Sequence, residues 1–400
     1  MHSSLRFALA LAAVCQLPMA LAAAPANTPA PATAQAALEA EWQTYITRSQ
    51  ELRKLDQQQL RKEMKRRGLK EPLLPAYTKE FGFETEQPLE WFTSTEGKAI
   101  MEAILSLQTP TGGWSKRTDM TKKRKPGMAF GNEKNYIPTF DNDATSKQLT
   151  LLAKAYTATG DKTYQEAFAR GLTLIFNAQY PNGGWPQNYP LVGGYHNYIT
   201  YNDSLMVNLM FLLRDVANGE GNYAFVSKEQ RALAQRSLDK AIQCALNTQV
   251  LINGQPTVWG AQHDPITLMP AKARAYEMAS LTSAESVWMV EFFMGLENPS
   301  ADVINAVHGA AAWYEATKIT GKTWVRGEAE LKDDANAPAL WSRFYELGTN
   351  KPIFGDRDGS VHYEIGKVSK ERREGYAWYT TSPAKVLKHY AKWAKKYPRA

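Results

Sequence analysis

From Leu38 to Arg67 apolar residues fall at Trp42, Tyr45, Ile46, Leu52, Leu55, Leu60 and Met64. That spacing keeps to one face of a helix and predicts a long amphipathic α-helix. Thr93 with Glu96 reads as a capping box ahead of the run Ile100 to Leu107. Helical spacing recurs over 144–158, with Gly160 as its stop, and again over 163–178. Ser204 to Val216 is apolar on nearly every side and predicts an inner helix ending near Gly219. Further helices are expected over 228–247, from a Thr282/Glu285 cap to Met294, over 301–318, and from Pro383 to Trp393. The C-terminal stretch breaks this habit. Pro352 to Ile365 reads as two short strands around the Asp358-Gly359 turn.

One motif lies between the helices. Gln108-Thr-Pro-Thr-Gly-Gly-Trp114 is echoed by Gln179-Tyr-Pro-Asn-Gly-Gly-Trp185, and more loosely by Gln249 to Trp259 with Gly254. The tryptophans stand 71 and 74 residues apart. A period near 70 fits two helices and two loops, and repeated units of that kind stack to share a core. Closing such hairpins into a ring gives an all-α, (α/α) toroid with a short β-containing C-terminal segment. An unclosed helical array carries the same local signals.

Charged residues follow the same period. From Asp141 to Asp203 is 62 residues, to Arg274 another 71, and to Arg343 another 69. In a closed ring these steps set two carboxylate sectors and two arginine sectors on one rim. Asp143 and Asp203 also suit helix N-caps. Capping leaves the Asp141-Asn-Asp143 cluster and the arginines without a purpose. Arg357 stands at the tip of the C-terminal turn, and Arg372-Arg373 follow it. Arginine forks match carboxylates through two parallel hydrogen bonds.

Length and composition narrow the class. The chain has 400 residues, 44% apolar and 22% charged, which excludes collagen-like, disordered and disulfide-scaffold proteins. No apolar run of membrane-spanning length lies beyond the N-terminus. The formal charge of +7 favours a polyanionic partner. Eleven tryptophans hint at sugar-stacking platforms, although packing accounts for most of them. Residues 1–24 read as a signal peptide, with Ala20-Leu21-Ala22 and Ala22-Ala23-Ala24 as cleavage sites. The expected destination is therefore secreted or periplasmic. Only Cys244 then remains, so no internal disulfide is expected. Residues 25–37 read as a Pro/Ala-rich linker, 38–90 as a helical extension and 91–400 as the toroid.

The chain resembles the family 10 pectate lyases. The stretches that carry the likeness are Gly183 to Pro190, Tyr201-Asn-Asp203-Ser, Trp259 to Asp264 and Lys272-Ala-Arg274-Ala-Tyr-Glu277. Trp341 to Tyr345, Asp356 to Gly359 and Glu371 to Tyr376 complete it. They occur in order over about three quarters of the chain, from near Trp91 to the end. The resemblance implies calcium-dependent β-elimination of polygalacturonate. It implies Arg274 as the base, Asp203 as a Ca²⁺ ligand with Asp141 in the same centre, and Arg343 and Arg357 as carboxylate clamps. Lys272 and Arg372 join the substrate-binding group. On the residues alone Lys272 is the preferred base, because a guanidinium holds its proton at ordinary pH. Two other readings stay open: a glycoside hydrolase using Asp141 and Asp203, and a non-catalytic binder of acidic polysaccharide. A monomer is expected, with no nucleic acid partner and no membrane partner once the signal is removed.

Overall fold

The computed structural model describes residues 32–326 and 328–399. The expected signal peptide lies outside the described residues, and the expected linker mostly so. The chain is already helical at Ala32, where α1 (Ala32–Arg66) begins. The other helices are α2 (Thr95–Leu107), α3 (Ser146–Thr159), α4 (Lys162–Ala178), α5 (Leu205–Asn218) and α6 (Lys228–Thr248). They continue as α7 (Ser286–Met294), α8 (Ala301–Thr317), α9 (Lys370–Gly375) and α10 (Ser382–Lys396). Each hairpin pairs an inner helix with an outer one: α3 with α4, α5 with α6, α7 with α8. Inner helices meet in succession, as do outer ones, and α10 packs on α7 and α8. The architecture is an (α/α) toroid. Among the described residues its strands form two-stranded antiparallel sheets.

The repeated motif works as a clasp. Gln108 Nε2 donates to the Gly112 carbonyl (2.8 Å) and to the Ala167 carbonyl on α4 (2.8 Å). Gln179 does the same to Gly183 (2.9 Å) and to Ser237 on α6 (2.8 Å). Gln249 reaches Thr257 (2.8 Å) and Ala306 on α8 (2.9 Å). One amide thus closes its own loop and staples it to the next outer helix. The indoles of Trp114, Trp185 and Trp259 donate backwards to Ile104, Ile175 and Ala245 on α2, α4 and α6. Trp341 is a fourth member, its indole bonded to Tyr314 on α8 at 2.9 Å. No Gln-Gly-Gly prefix marks it in the sequence. In the first two clasps the paired glycines are required sterically. At Gly183, with φ +94°, a Cβ would stand 2.1 Å from the Lys240 carbonyl. Gln179→Ala would take the side-chain donor from the buried Gly183 carbonyl, the acceptor from the Ser237 hydroxyl, and the second bond from the Ser237 carbonyl. It is expected to cost about 2–3 kcal/mol in denaturant unfolding, the range for buried groups left unsatisfied.

Two expected caps are replaced. Ser94, not Thr93, caps α2, accepting from Gly97 N at 3.0 Å, while the Thr93 hydroxyl turns back to Glu90 O. Thr282 belongs to a strand paired with Phe344–Tyr345, and Glu285 is drawn to Arg343 instead of to its own helix end. The C-terminal strands form as expected, Phe354–Gly355 against Val361–His362.

Helix α1 lies across two successive loops of the ring. Tyr45 donates to Ala178 O (3.0 Å), Ser49 Oγ accepts from Leu191 N (2.8 Å), and Asp56 accepts from both Thr111 N and Thr111 Oγ1. Near its end Glu63 is buried against Arg124 and Gly127. No helix among the described residues is long and apolar enough to cross a membrane.

Candidate active site

The short turns before α3 and α5 carry the acidic sectors. Asp141–Asp143 and Asn202–Ser204 are each a single 3₁₀ turn, and the two pack on one another. Their backbones are unusual: Asn142, Asp143, Thr145, Asp203 and Ser204 all have φ between 50° and 68°. Left-handed non-glycine residues cost stability and collect at functional sites. Neither Asp143 nor Asp203 caps a helix. Asp143 accepts from Asn208 Nδ2 at 2.5 Å, and Asp203 accepts weakly from Asn142 Nδ2 at 3.4 Å.

Asp141 is buried and paired through Oδ2 with Lys116, whose ammonium sits 3.6 Å from the centre of the Tyr136 ring. Its other oxygen is buried without a partner. Asp203 is open to solvent on its outer side yet surrounded by protein elsewhere. Loss of water, then the charges of Asp141 and Glu285, raise its pKa to about 7 despite nearby Arg343.

The arginine side continues from there. Arg343 is nearly buried and is held by Glu285 and by Asn202 Oδ1 at 3.2 Å, with its guanidinium 4.7 Å from the Tyr376 ring centre. Burial opposes its charge, but Glu285 outweighs this and its pKa lies above the usual range. Tyr376 donates to Glu277 Oε1 at 2.8 Å. Glu277 is buried and takes Arg274 side-on, through Nε at 2.7 Å and through Nη2. The Arg274 side chain stays 43% exposed, so one edge of its fork is fixed while solvent reaches the rest. Around Tyr276 gather Arg274 (5.1 Å), Arg357 (5.8 Å) and buried Arg372 (4.6 Å). Glu371 ties Arg357 to Arg372. Lys272 is exposed, without an ion-pair partner among the described residues, and a Cβ on Gly359 would stand 3.5 Å from its ammonium.

Contacts and near charges thus join six of the seven expected site residues in one region from Asp141 to Arg357, and Lys272 adjoins it beside the Gly359 turn. Sequence reasoning passed over Lys116, Glu285, Tyr276, Glu277 and Tyr376 as participants. Lys116 follows the repeat tryptophan by two residues, and Glu277 sits inside the Lys272 to Glu277 motif; both were visible, but nothing marked them as partners. The setting of Arg274 keeps its proton on. Its direct neighbour is the carboxylate of Glu277, which overcomes desolvation and holds the pKa above the usual arginine range.

No group of three or more His, Cys, Asp or Glu side chains among the described residues converges as a metal cage. The unpartnered oxygen of Asp141 beside Asp203 fits a hard cation in one way. The protein would supply two carboxylates, and water and substrate oxygens would have to supply the rest of a six- to eight-ligand shell.

Fold and site together define an (α/α)-toroid enzyme. The pectic acid lyase family model matches residues 108–387. The chain belongs to the pectic acid lyase family and is a polysaccharide lyase. Two solved structures of a family 10 polysaccharide lyase from Cellvibrio cellulosa resemble it, each with a TM-score of 0.68. A mutant in complex with trigalacturonic acid is 33% identical over 78% of this chain and 97% of that one. The other structure is 32% identical over 81% and 100%. No curated protein matches the chain. The hydrolase and binder alternatives fall with this assignment.

Proposed function

We propose that the chain is an exported pectate lyase that cleaves polygalacturonate by calcium-dependent β-elimination, with Arg274 as the base. The observation that carries this reading is the side-on seat of Arg274 on Glu277, with Arg343 near enough to feel the charges of both Glu277 and Asp203. The relative that binds trigalacturonic acid supports the substrate class.

Each galacturonate carries a carboxylate next to C5, so removing the C5 proton adds charge to a group already negative. Lys272, Arg343, Arg357 and Arg372 would hold substrate carboxylates, Arg343 also adding positive charge at the Asp203 end of the site. Asp203 and Asp141 would hold calcium. When bound, calcium supplies further positive charge to the carboxylate during proton loss. Arg274, once deprotonated, takes the C5 proton. The C5 electron pair forms the C4–C5 double bond, the C4–O bond breaks, and the leaving oxygen takes a proton from solvent. Glu277 fixes the guanidinium through Nε and Nη2, which leaves Nη1 for the proton. It also opposes deprotonation, so the rate should climb with pH.

The test follows the ultraviolet absorbance of the unsaturated product on polygalacturonate, with Ca²⁺ and then with chelator. Absorbance that grows with calcium and stops with chelator is expected. Full activity in excess chelator would remove calcium from the reading. Chain shortening without absorbance would remove elimination.

A further inference from the structure

The end of α1 and the loop at 121–126 meet outside the site. At about 100° per residue, Arg61, Lys62, Lys65 and Arg66 share an arc of about 140° on α1. All four are exposed, while Glu63 and Met64 on the other side turn towards protein. Lys70 follows just beyond the helix, and exposed Lys122 and Lys125 stand in the loop held beside the helix end. None of these seven cations has an ion-pair partner among the described residues. Their number equals the whole formal excess of +7.

A buried clip brings the two basic segments together. Glu63 accepts from Arg124 (2.5 Å and 3.3 Å) and from Gly127 N (2.9 Å), and Arg67 donates to Pro126 O at 2.8 Å. A cationic last turn of a helix is favourable on its own, which accounts for Lys65 and Arg66. It does not account for Lys70, Lys122 and Lys125, which the clip gathers against their mutual repulsion. Glu71 and Glu102 are the acids at the edge, and Glu102 is taken by Lys123 at 3.0 Å.

We infer that this face is a second binding surface for acidic polysaccharide, one that holds the polygalacturonate chain outside the catalytic bowl. Among the described residues it shares no hydrogen bond or ion pair with the site residues. The surface offers charge without an aromatic platform, which suits a polymer with a carboxylate on every sugar. The choice of polygalacturonate rests on the proposed function.

The experiment compares the full chain with a Lys62→Gln/Lys65→Gln/Lys122→Gln variant and a charge-reversed Lys62→Glu/Lys65→Glu/Lys122→Glu variant. Circular dichroism checks their fold. Affinity electrophoresis through polygalacturonate, at low and high salt, reads binding, and steady-state assays compare polymer with trigalacturonate. Polymer binding should fall at least about tenfold at low salt for the reversed variant and less for the neutral one, and the difference should shrink as salt rises. KM on polymer should rise, with kinetics on trigalacturonate unchanged. Unchanged polymer binding in both variants overturns the inference. So does a loss confined to anionic vesicles or nucleic acid. If the parent chain cleaves neither substrate but its polymer binding still drops in the variants, the surface stands and the proposed activity falls.

Discussion

Arg274→Ala is expected to lower kcat by about 10²–10⁴, the usual contribution of a positioned base, with little change in substrate binding. The kinetic signature matters as much as the size. A base acts only in the transition state, so kcat and kcat/KM should fall together; a carboxylate clamp would raise KM as well. Arg274→Lys should be nearly as poor, because a lysine cannot keep both the Nε and Nη2 bonds to Glu277 and still present a free nitrogen. Arg343→Lys keeps its charge beside Glu285 and should retain more activity. Glu277→Gln removes the carboxylate that keeps Arg274 protonated, so the alkaline rise in kcat should move to lower pH. Steady-state kinetics across pH on these variants decide the matter. If Arg274→Ala keeps most of its kcat and only weakens binding, Arg274 is a clamp and Lys272 becomes the candidate base.

Asp203→Ala is expected to cost at least about 10²-fold in activity, the loss seen when a group stabilising developing charge is removed. Calorimetric titration with Ca²⁺ should show loss of binding in the same variant. The raised pKa adds a pH signature. In the cation-free protein Asp203 titrates near 7, above the ordinary aspartate value of 3.8. Between these values the folded chain holds a proton that the unfolded chain releases. The contribution of Asp203 to stability is therefore full below the unfolded value and is lost as pH rises through the folded one. Calcium competes with that same proton, so its affinity should climb over this window and level off above it. Asp203→Asn should flatten both profiles. Calcium affinity independent of pH from 5 to 8, in about the range where the carboxyl changes charge, would separate Asp203 from the cation.

The helical part of the fold was legible because its signals are local. Gly160 and Gly219 close α3 and α5 as left-handed caps, and the apolar run at 204–216 is the inner helix it promised to be. The Gln…Trp spacing revealed the repeat because each clasp needs its own glutamine and indole. Trp341 escaped because its loop uses a different closure, with only the indole bond kept. The site was legible as a set of charges and illegible as a set of pairs. Glu285 looks like a capping residue beside Thr282, and only the approach of the strand Trp341–Ser342 to the chain at 283 brings Arg343 against it. Glu277 lies three residues from Arg274, yet a tight backbone loop, closed by Glu277 N to Arg274 O at 2.9 Å, is what folds the carboxylate back. Pairings of this kind depend on three-dimensional approach, which no periodicity in one chain reports.

The clasps run in one direction, each loop fastened to the outer helix that follows it. Asp141, Asp203, Arg274 and Arg343 belong to four successive sectors, so no fragment of the ring owns the proposed reaction centre. Catalysis is then a logical AND over the sectors. A lesion that undocks any one of them, even on the far outer wall, should silence turnover while most of the helix signal survives. Directed evolution of this scaffold by swapping single hairpins would consequently fail unless each donor brings its own indole bond and, where the native loop has one, the glutamine that reaches a matching carbonyl on the next helix.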